Sequence, residues 1–336
     1  MSGIQVVTGA TGQVGLELCR ALRAAGKVVR AVVLPGDRQA QLLRDLAIEV
    51  VVADVRDLAA LQAAFADAET VFHLAAIVST SAKHDPRMWQ VNVEGARNAA
   101  VAAKAVGARR MVYFSSIVVF DPAPHDDPLD ETRARLQVTV GSPYVRSKVV
   151  AEAIVRAAIA DGLDAVIVHP TVVIGANETH HIGVVRSLFF AYFGGTLPAT
   201  VRGGFNAVAV GDVVAGAMAA AERGRSGESY ILGGEYGSLT AMLRRVQPLS
   251  GARLPLLSVP MMMARAGLPV MAAFARLTGT RPTFTPEDLR QLDGNRRILC
   301  DKAARELGYR PMGLDVALRQ VHDAWLRRDL AAAPVP

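Results

Sequence analysis

Tyr144 and Lys148 stand four residues apart, the spacing that puts two side chains on one face of a helix and within reach of one ligand. A free tyrosine, with a reference pKa of about 10, is a poor acid or base at neutral pH, and a nearby cation favours its phenolate. Lys148 supplies such a cation and is long enough to hold the ribose hydroxyls of a nicotinamide cofactor as well. Tyr-x-x-x-Lys arises often by accident, as an exposed lysine beside a half-buried tyrosine; its position in the chain is what gives it weight. Ser142-Pro143 opens a helix, with Ser as N-cap and Pro at the first helical position, and Asp161-Gly162 ends it after Ala160. Just ahead of it, Val112-Tyr113-Phe114-Ser115-Ser116 offers two hydroxyls past the end of a strand. A hydroxyl there can hydrogen-bond a substrate carbonyl and the tyrosine oxygen together. Ser116 is read as that group and Ser115 as a structural partner of the strand end.

Such a constellation needs a scaffold. Ile4 to Thr8 is a β-branched run that predicts a buried strand, Gly9, Gly12 and Gly15 punctuate a sharp turn, and Val14 to Ala25 has helical apolar spacing. Strand, glycine turn and helix in that order suit a dinucleotide pyrophosphate, which needs close backbone approach and the open N–H groups of a helix start. Strands over Val28–Leu34, Ile48–Ala53, Thr70–Ala75, Arg110–Phe114 and Ala165–Val168 then alternate with helices over Gln39–Leu46, Leu58–Phe65, Pro86–Val106 and Ser142–Ala160. That alternation predicts an α/β fold, a Rossmann-type doubly wound parallel sheet with its site at the carboxyl ends of the strands. Residues 121–139 read as a loop with at most one helical turn.

Beyond His169-Pro170 the rhythm changes, with more glycine, proline and methionine. Helices are expected over Arg186–Phe193, Asp212–Arg223, Leu239–Leu249, Met261–Leu277, Lys302–Leu307 and Leu314–Arg328, and a strand at Ser229–Leu232. The expected division is a dinucleotide-binding domain over 1–170, to which 205–234 returns, and a smaller, discontinuous C-terminal substrate lobe over 171–204 and 235–330. The Ala/Pro tail, 331–336, is expected to be disordered.

Composition narrows the classes. The 336 residues are 51% apolar and only 5% aromatic, with a formal charge of +6, yet the basic residues are scattered. Pairs such as Arg296-Arg297 do not make a nucleic-acid patch, so no nucleic-acid partner is expected. The longest uncharged stretch, Ser187–Val201, has fifteen residues, short of a membrane span. No leader is visible, and a cytoplasmic protein without a transmembrane segment is expected. Cys19 and Cys300 are lone, which speaks against a disulfide framework. His180-His181 has no acid or cysteine at matching ligand spacing, so a polar contact with substrate is expected there and no metal. The Met261-Met262-Met263 run, with Met271 and Phe274, suits core packing, and leaves an apolar substrate pocket or a membrane-facing patch as further readings.

Taken together, TGATGQVG at 8–15, Asp54-Val55, His73-Leu74-Ala75-Ala76, Asn92-Val93-Glu94-Gly95, Phe114-Ser115-Ser116, Tyr144-x-x-x-Lys148 and the Gly227–Gly234 stretch resemble the extended short-chain dehydrogenase/reductases over nearly the whole chain. Within them, the chain is most similar to dihydroflavonol-4-reductase-like proteins and the hopanoid-associated sugar epimerases, and His169-Pro170-Thr171-Val172-Val173-Ile174-Gly175 also resembles the reductase type. The resemblance implies Tyr144 as acid/base, Lys148 as its electrostatic partner and ribose ligand, Ser116 as the substrate-orienting hydroxyl, and Asn92 as support for the proton relay or for backbone near the cofactor. It implies cofactor contacts from Gly9, Thr11, Gly12, Gln13, Val14 and Gly15, from Asp54 on the adenine amine with Val55 against the ring, and from Ala75 and Ala76 as points of close backbone approach. Leu34, Arg38, Leu74, Phe114, Ser115, Pro170, Val172 and Val173 complete that set, beside Tyr144 and Lys148. Val78, Val118, Thr171, His180 and His181 join Ser116 and Tyr144 around the substrate, and His73 is a packed strand residue.

The place that usually separates the two dinucleotides, the end of strand two, holds Leu34, with Asp37 and Arg38 following and one suiting each cofactor. With no acid at that place and a positive charge overall, the sequence inclines to NADP(H) over NAD(H). The expected activity is an NAD(P)-dependent carbonyl reductase or alcohol dehydrogenase acting on a hydrophobic small molecule. A nucleotide-sugar epimerase or dehydratase with tightly bound NAD is the alternative, and a non-catalytic NmrA-like dinucleotide sensor a lesser one. Pairing of two copies through the helices around Pro86–Val106 and Ser142–Ala160 is implied by the resemblance.

Overall fold

The computed structural model describes residues 3–79, 85–175, 184–278 and 284–332. Twelve strands are present among them: β1 Ile4–Thr8, β2 Val28–Val33, β3 Glu49–Val52, β4 Ala68–His73, β5 Arg110–Phe114, β6 Ala165–Pro170, β7 Val172–Ile174, β8 Thr200–Val201, β9 Gly204–Ala209, β10 Ser229–Leu232, β11 Glu235–Ser238 and β12 Ser258–Val259. Seven form one sheet in the order β10-β6-β5-β4-β1-β2-β3. Every pairing in it is parallel. The strand order reverses between β1 and β4, so a crevice opens at their carboxyl ends, where the glycine turn leaves β1.

Both faces of this sheet are covered, which is why its central strands read as unbroken apolar runs. On one face the helices Gln13–Ala24 and Val210–Arg223 bury Leu18, Cys19, Val213 and Ala217. On the other, Leu58–Ala64, Gly95–Ala105 and Pro143–Ala160 bury Leu61, Ala99, Ala103, Ala151 and Val155. The many alanines let these helices lie close to the strands. A separate core, with Phe189, Phe193, Leu239, Met242, Leu243 and Leu318, lies in the C-terminal part. It is organised around a second, mixed sheet, β11-β9-β7, in which β9 runs parallel to β7 and antiparallel to β11.

Three features depart from the sequence reading. The helix expected over Pro86–Val106 is broken by a π turn at Gln90–Glu94. The second sheet was not anticipated, because its strands are three to six residues long and too short to show periodicity. The helix Pro286–Leu292 was also missed, although Thr285 and Asp288 form a reciprocal capping box around it. The loop 121–139 contains no helix; a bridge from Phe120 to Arg135 and another from Leu129 to Ile298 tie it to the body.

The turn after β1 leaves no room for a side chain at Gly9 or Gly15. Gly9 has φ +67°, and a Cβ on Gly15 would stand 2.1 Å from the Gly9 carbonyl oxygen. Gly15→Ala is therefore expected to force the turn open, at a cost of roughly 1–3 kcal/mol read as a lower melting temperature, and to abolish dinucleotide binding measured by calorimetry.

Candidate active site

A cleft of about 1240 Å³ runs along the carboxyl ends of the strands, from the glycine turn past Tyr144 to the second sheet. That is more than one drug-sized molecule needs, and enough for a dinucleotide with a second ligand beside it. At the turn, Gly12 is the N-cap of the first helix and has no side chain to occupy the first-turn amides. A Cβ at Gly9 would sit 2.8 Å from the Ala75 nitrogen, so the backbones of the turn and of the segment after β4 meet here because neither carries bulk. The Thr8 hydroxyl holds that meeting together. It lies 2.9 Å from His73 Nδ1 and accepts the amides of Leu74 and Ala75 at 3.2 and 3.3 Å. The cradle fits a pyrophosphate: uncapped amides, a helix start and no side chain in the way.

Further along, Asp54, Val55, Leu74, Ala75 and Ala76 line the cleft, as do Pro170, Thr171, Val172 and Val173. The Asp54 carboxylate is held by Arg56, with Arg56 Nη2 at 2.6 Å, and that hydrogen bond keeps its pKa below the usual carboxylate range. Leu34 lines the cleft, but Arg38 is exposed and does not. Asp37 does line it, its carboxylate accepting from the Thr11 hydroxyl at 2.7 Å and from the Gln39 amide at 2.9 Å. Leu34 follows the end of β2, and the chain then turns so that Asp37, read from the sequence as within reach of the cofactor, lies against the glycine loop while Arg38 does not.

The helix Pro143–Ala160 is started by Ser142, whose hydroxyl accepts the Val145 amide at 3.3 Å. Tyr144 sits in its first turn, buried, and shares the cleft wall with Ser116. Burial raises that phenol to about 12; the Ser116 hydroxyl pulls it down and the charge of Glu287 pushes it further up. Lys148 is buried one turn on and donates to the Phe114 carbonyl at 2.6 Å, with its ammonium 5.1 Å from the centre of the Tyr113 ring. Burial lowers it to about 8, against the pull of the Glu152 carboxylate. Ser116 and Ser115 part company at the end of β5: Ser116 turns to Tyr144, while Ser115 donates to Glu152 at 2.5 Å.

Asn92 comes from the π turn, a distortion often found where a helix supplies a site. Its amide oxygen accepts the Ile77 amide at 2.7 Å and its nitrogen donates to the Ile77 carbonyl and the Ser147 hydroxyl at 3.0 and 2.9 Å. It clamps the segment after β4 to the helix of Tyr144 rather than facing the cleft. His73 is buried, and desolvation, helped by the Lys148 charge, lowers it to about 3, so it is a neutral packing group. Thr171 donates to Asn206 at 2.8 Å. Val78 and Val118 line the cleft. His180 and His181 lie outside the described residues.

Several lining groups were not anticipated. Phe205 and Asn206 come from β9, and Glu287, Arg290 and Gln291 from the helix Pro286–Leu292. Glu287 is buried, its Oε2 has no hydrogen-bond partner, and Arg290 lies 3.5 Å from it. Only the capping box before Glu287 marked this helix in the sequence. Below the cleft, Glu152 gathers Ser115, His169 at 2.8 Å, Arg156 at 2.9 Å and Arg135 at 3.3 Å. Burial alone would raise its pKa, but His169, Ser115 and Arg156 outweigh burial and hold the carboxyl well below its usual range. Burial in turn keeps His169 below its ordinary value.

Residues 5–233 match the family model described as NAD dependent epimerase/dehydratase family. Sterol demethylase protein B of Methylococcus capsulatus is 32% identical over 331 residues, 96% of this chain and 98% of that protein. The 4-hydroxy-2-methyl-3-oxo-4-farnesyl-3,4-dihydroquinoline-1-oxide ketoreductase of Stigmatella aurantiaca is 29% identical over 338 residues, 95% and 96% of the two chains. Among solved structures, gox2253 superposes with a TM-score of 0.83 at 32% identity, covering 98% of this chain and 99% of that one.

Because Glu152 ionises more readily folded than unfolded, its contribution is full above the unfolded carboxyl value of about 4.3 and is lost as pH falls through the lower folded value. Glu152→Gln is expected to cost about 2–3 kcal/mol at pH 7, with the half-exposed arginines discounted. The gap between its melting temperature and that of the parent should narrow as pH is taken from 6 towards 3.

Proposed function

Because the chain belongs to the NAD dependent epimerase/dehydratase family, we propose that it is a dinucleotide-dependent oxidoreductase acting on a ketone or secondary alcohol carried by a lipophilic molecule. The observation that carries this reading is the placement of Tyr144, Ser116 and Lys148 together on the wall of one cleft, with Lys148 one helical turn from the buried phenol and the Ser116 hydroxyl acting on it. When bound, the nicotinamide supplies or accepts the hydride. Tyr144 gives its proton to the substrate oxygen, Ser116 orients that oxygen, and the Lys148 ammonium stabilises negative charge on the phenol as the proton leaves. A phenol raised to about 12 is protonated throughout the neutral range, which favours proton donation and hence reduction of a ketone.

The substrate side supports a lipophilic molecule over a nucleotide sugar. Its walls include Val118, Phe120, Leu136, Val140, Val172 and Phe205, and the cation that lines the lobe among the described residues, Arg290, is shared with Glu287. A sugar diphosphate would need unshared cations there. The relatives named for a sterol and for a farnesylated quinoline point the same way. Glu287, buried and with no hydrogen bond to its Oε2 beyond the 3.5 Å approach of Arg290, is suited to accept a hydrogen bond from a hydroxyl on such a substrate.

For the dinucleotide we favour NAD(H) over the NADP(H) that the sequence inclined to. Asp37, about 20 residues past the glycines, is placed to accept from a ribose diol and to repel a 2′-phosphate. NADH is expected to bind at least about tenfold more tightly than NADPH, and Asp37→Ser to close most of that gap, measured by fluorescence titration.

The activity itself is tested by following NADH oxidation over a panel of sterol-like, isoprenoid and aromatic ketones. Tyr144→Phe is expected to lower kcat by about 10²–10⁴ with little change in KM, and the rate of reduction to fall above about pH 8 as Lys148 loses its proton. Inversion of a nucleotide sugar with no net change in NADH would replace this reading with an epimerase.

A further inference from the structure

Between Tyr236 and Pro286 the chain carries six arginines and no acidic residue or lysine. The remainder has equal numbers of basic and acidic residues, so the whole net charge of +6 resides in this one segment. It includes the helix Met261–Thr278, which is apolar on two opposite sides. Met261, Ala264, Leu268 and Met271 pack on the core of the lobe. Met263, Val270 and Leu277, seven residues apart and therefore in line, point the other way with Met262 beside them. Met262 is 82% exposed and Leu277 87%. Just before the helix, Leu256 and Leu257 are also in water, Leu256 fully so. Their backbone is held firmly: the Thr200 amide donates to the Leu257 carbonyl at 2.9 Å and the Arg202 amide to the Val259 carbonyl at 2.8 Å. The fold thus anchors a strand to present two leucines outward. None of these residues lines the cleft, so the sequence reading of a methionine-lined substrate pocket does not hold.

We propose that the protein docks on the surface of an anionic lipid bilayer through this face, the outer stripe of the helix Met261–Thr278 and the Leu256–Leu257 tip entering the headgroup layer. An apolar stripe flanked by arginine is the pattern of a segment that lies in the interface. No described helix is long and apolar enough to cross a membrane, so the contact is peripheral. Arg245 shares its charge with Glu235 and Asp315 and Arg265 with Asp293, but Arg253 is exposed and has no carboxylate within ion-pair distance among the described residues. Charge decides between occupants: a second copy would bring a second basic face to the first, whereas anionic headgroups complement it. The docked helix packs on Pro286–Leu292, whose Glu287 and Arg290 line the cleft, so the substrate side of the site is held near the lipid. This docking stands whether or not the activity proposed above is correct.

The test is flotation of the full chain with vesicles of phosphatidylglycerol and phosphatidylcholine, against vesicles of phosphatidylcholine alone. The chain is expected to float with the anionic vesicles, less so at high salt. Met263→Glu with Val270→Glu should weaken binding about tenfold or more, and Arg253→Ala about fivefold, with melting temperatures unchanged. Should the paired glutamates unfold the chain, Leu256→Ser with Leu257→Ser gives the same readout at the tip. The proposal is overturned if the parent stays unbound on anionic vesicles at low salt, or if the variants bind as well as the parent. It is equally overturned if the parent is a dimer that Met263→Glu with Val270→Glu splits, since a second copy would then own the face.

Discussion

One stripe of one helix sustains the site. Tyr144, Lys148, Glu152 and Arg156 follow at four-residue intervals on Pro143–Ala160, so a phenol, an ammonium, a carboxylate and a guanidinium share a line facing the ends of β5 and β6. Burying such a line would be costly unless each group found a partner. Each does: Ser116 for Tyr144, the Phe114 carbonyl for Lys148, Ser115 and His169 for Glu152, and Glu152 for Arg156. The last residues of two strands are thereby matched atom by atom to successive turns of the helix. That match sets where the phenol stands.

The partners are not all satisfied, and where they fail is informative. His73 Nε2, the Tyr113 hydroxyl and His169 Nδ1 are buried without hydrogen-bond partners. The His73 and Tyr113 rings stack 6.0 Å apart, and the Tyr113 ring also faces Lys148. A floor of neutral, desolvated rings beneath a buried ammonium explains why its proton is held less firmly than in water. Polar groups kept dry beneath a site are costly to the fold, and here they keep the electrostatics above them strong.

Two different logics meet in the cleft. The dinucleotide half is built from backbone and small residues, so its specificity is a matter of close approach: Gly9 against Ala75, Gly15 against Gly9. The other half is built from side chains of β9 and of Pro286–Leu292, and its selectivity is a matter of apolar walls with few polar points. The first is common to a family whose members differ in substrate. The second is where this chain's own chemistry is decided.

How much of this was legible beforehand follows the range of the interactions. The glycine turn, the alternating strands and helices, and the Tyr144–Lys148 pair are local patterns, set by spacing along a few turns of chain, and they could be read from the residues alone. Asp37 could be seen but not placed, because its position depends on how the chain doubles back to Thr11. Asn92 was implied as support for the proton relay or for backbone near the cofactor, and only the π turn shows it aimed at Ile77. For Glu287 the sequence held only the capping box of its helix, since its meaning comes from its charge acting on Tyr144, far away in sequence. Local geometry is encoded in periodicity and turn chemistry. The meeting of Asp37, Asn92 and Glu287 with the site is decided only when three distant segments are packed against the ends of one sheet.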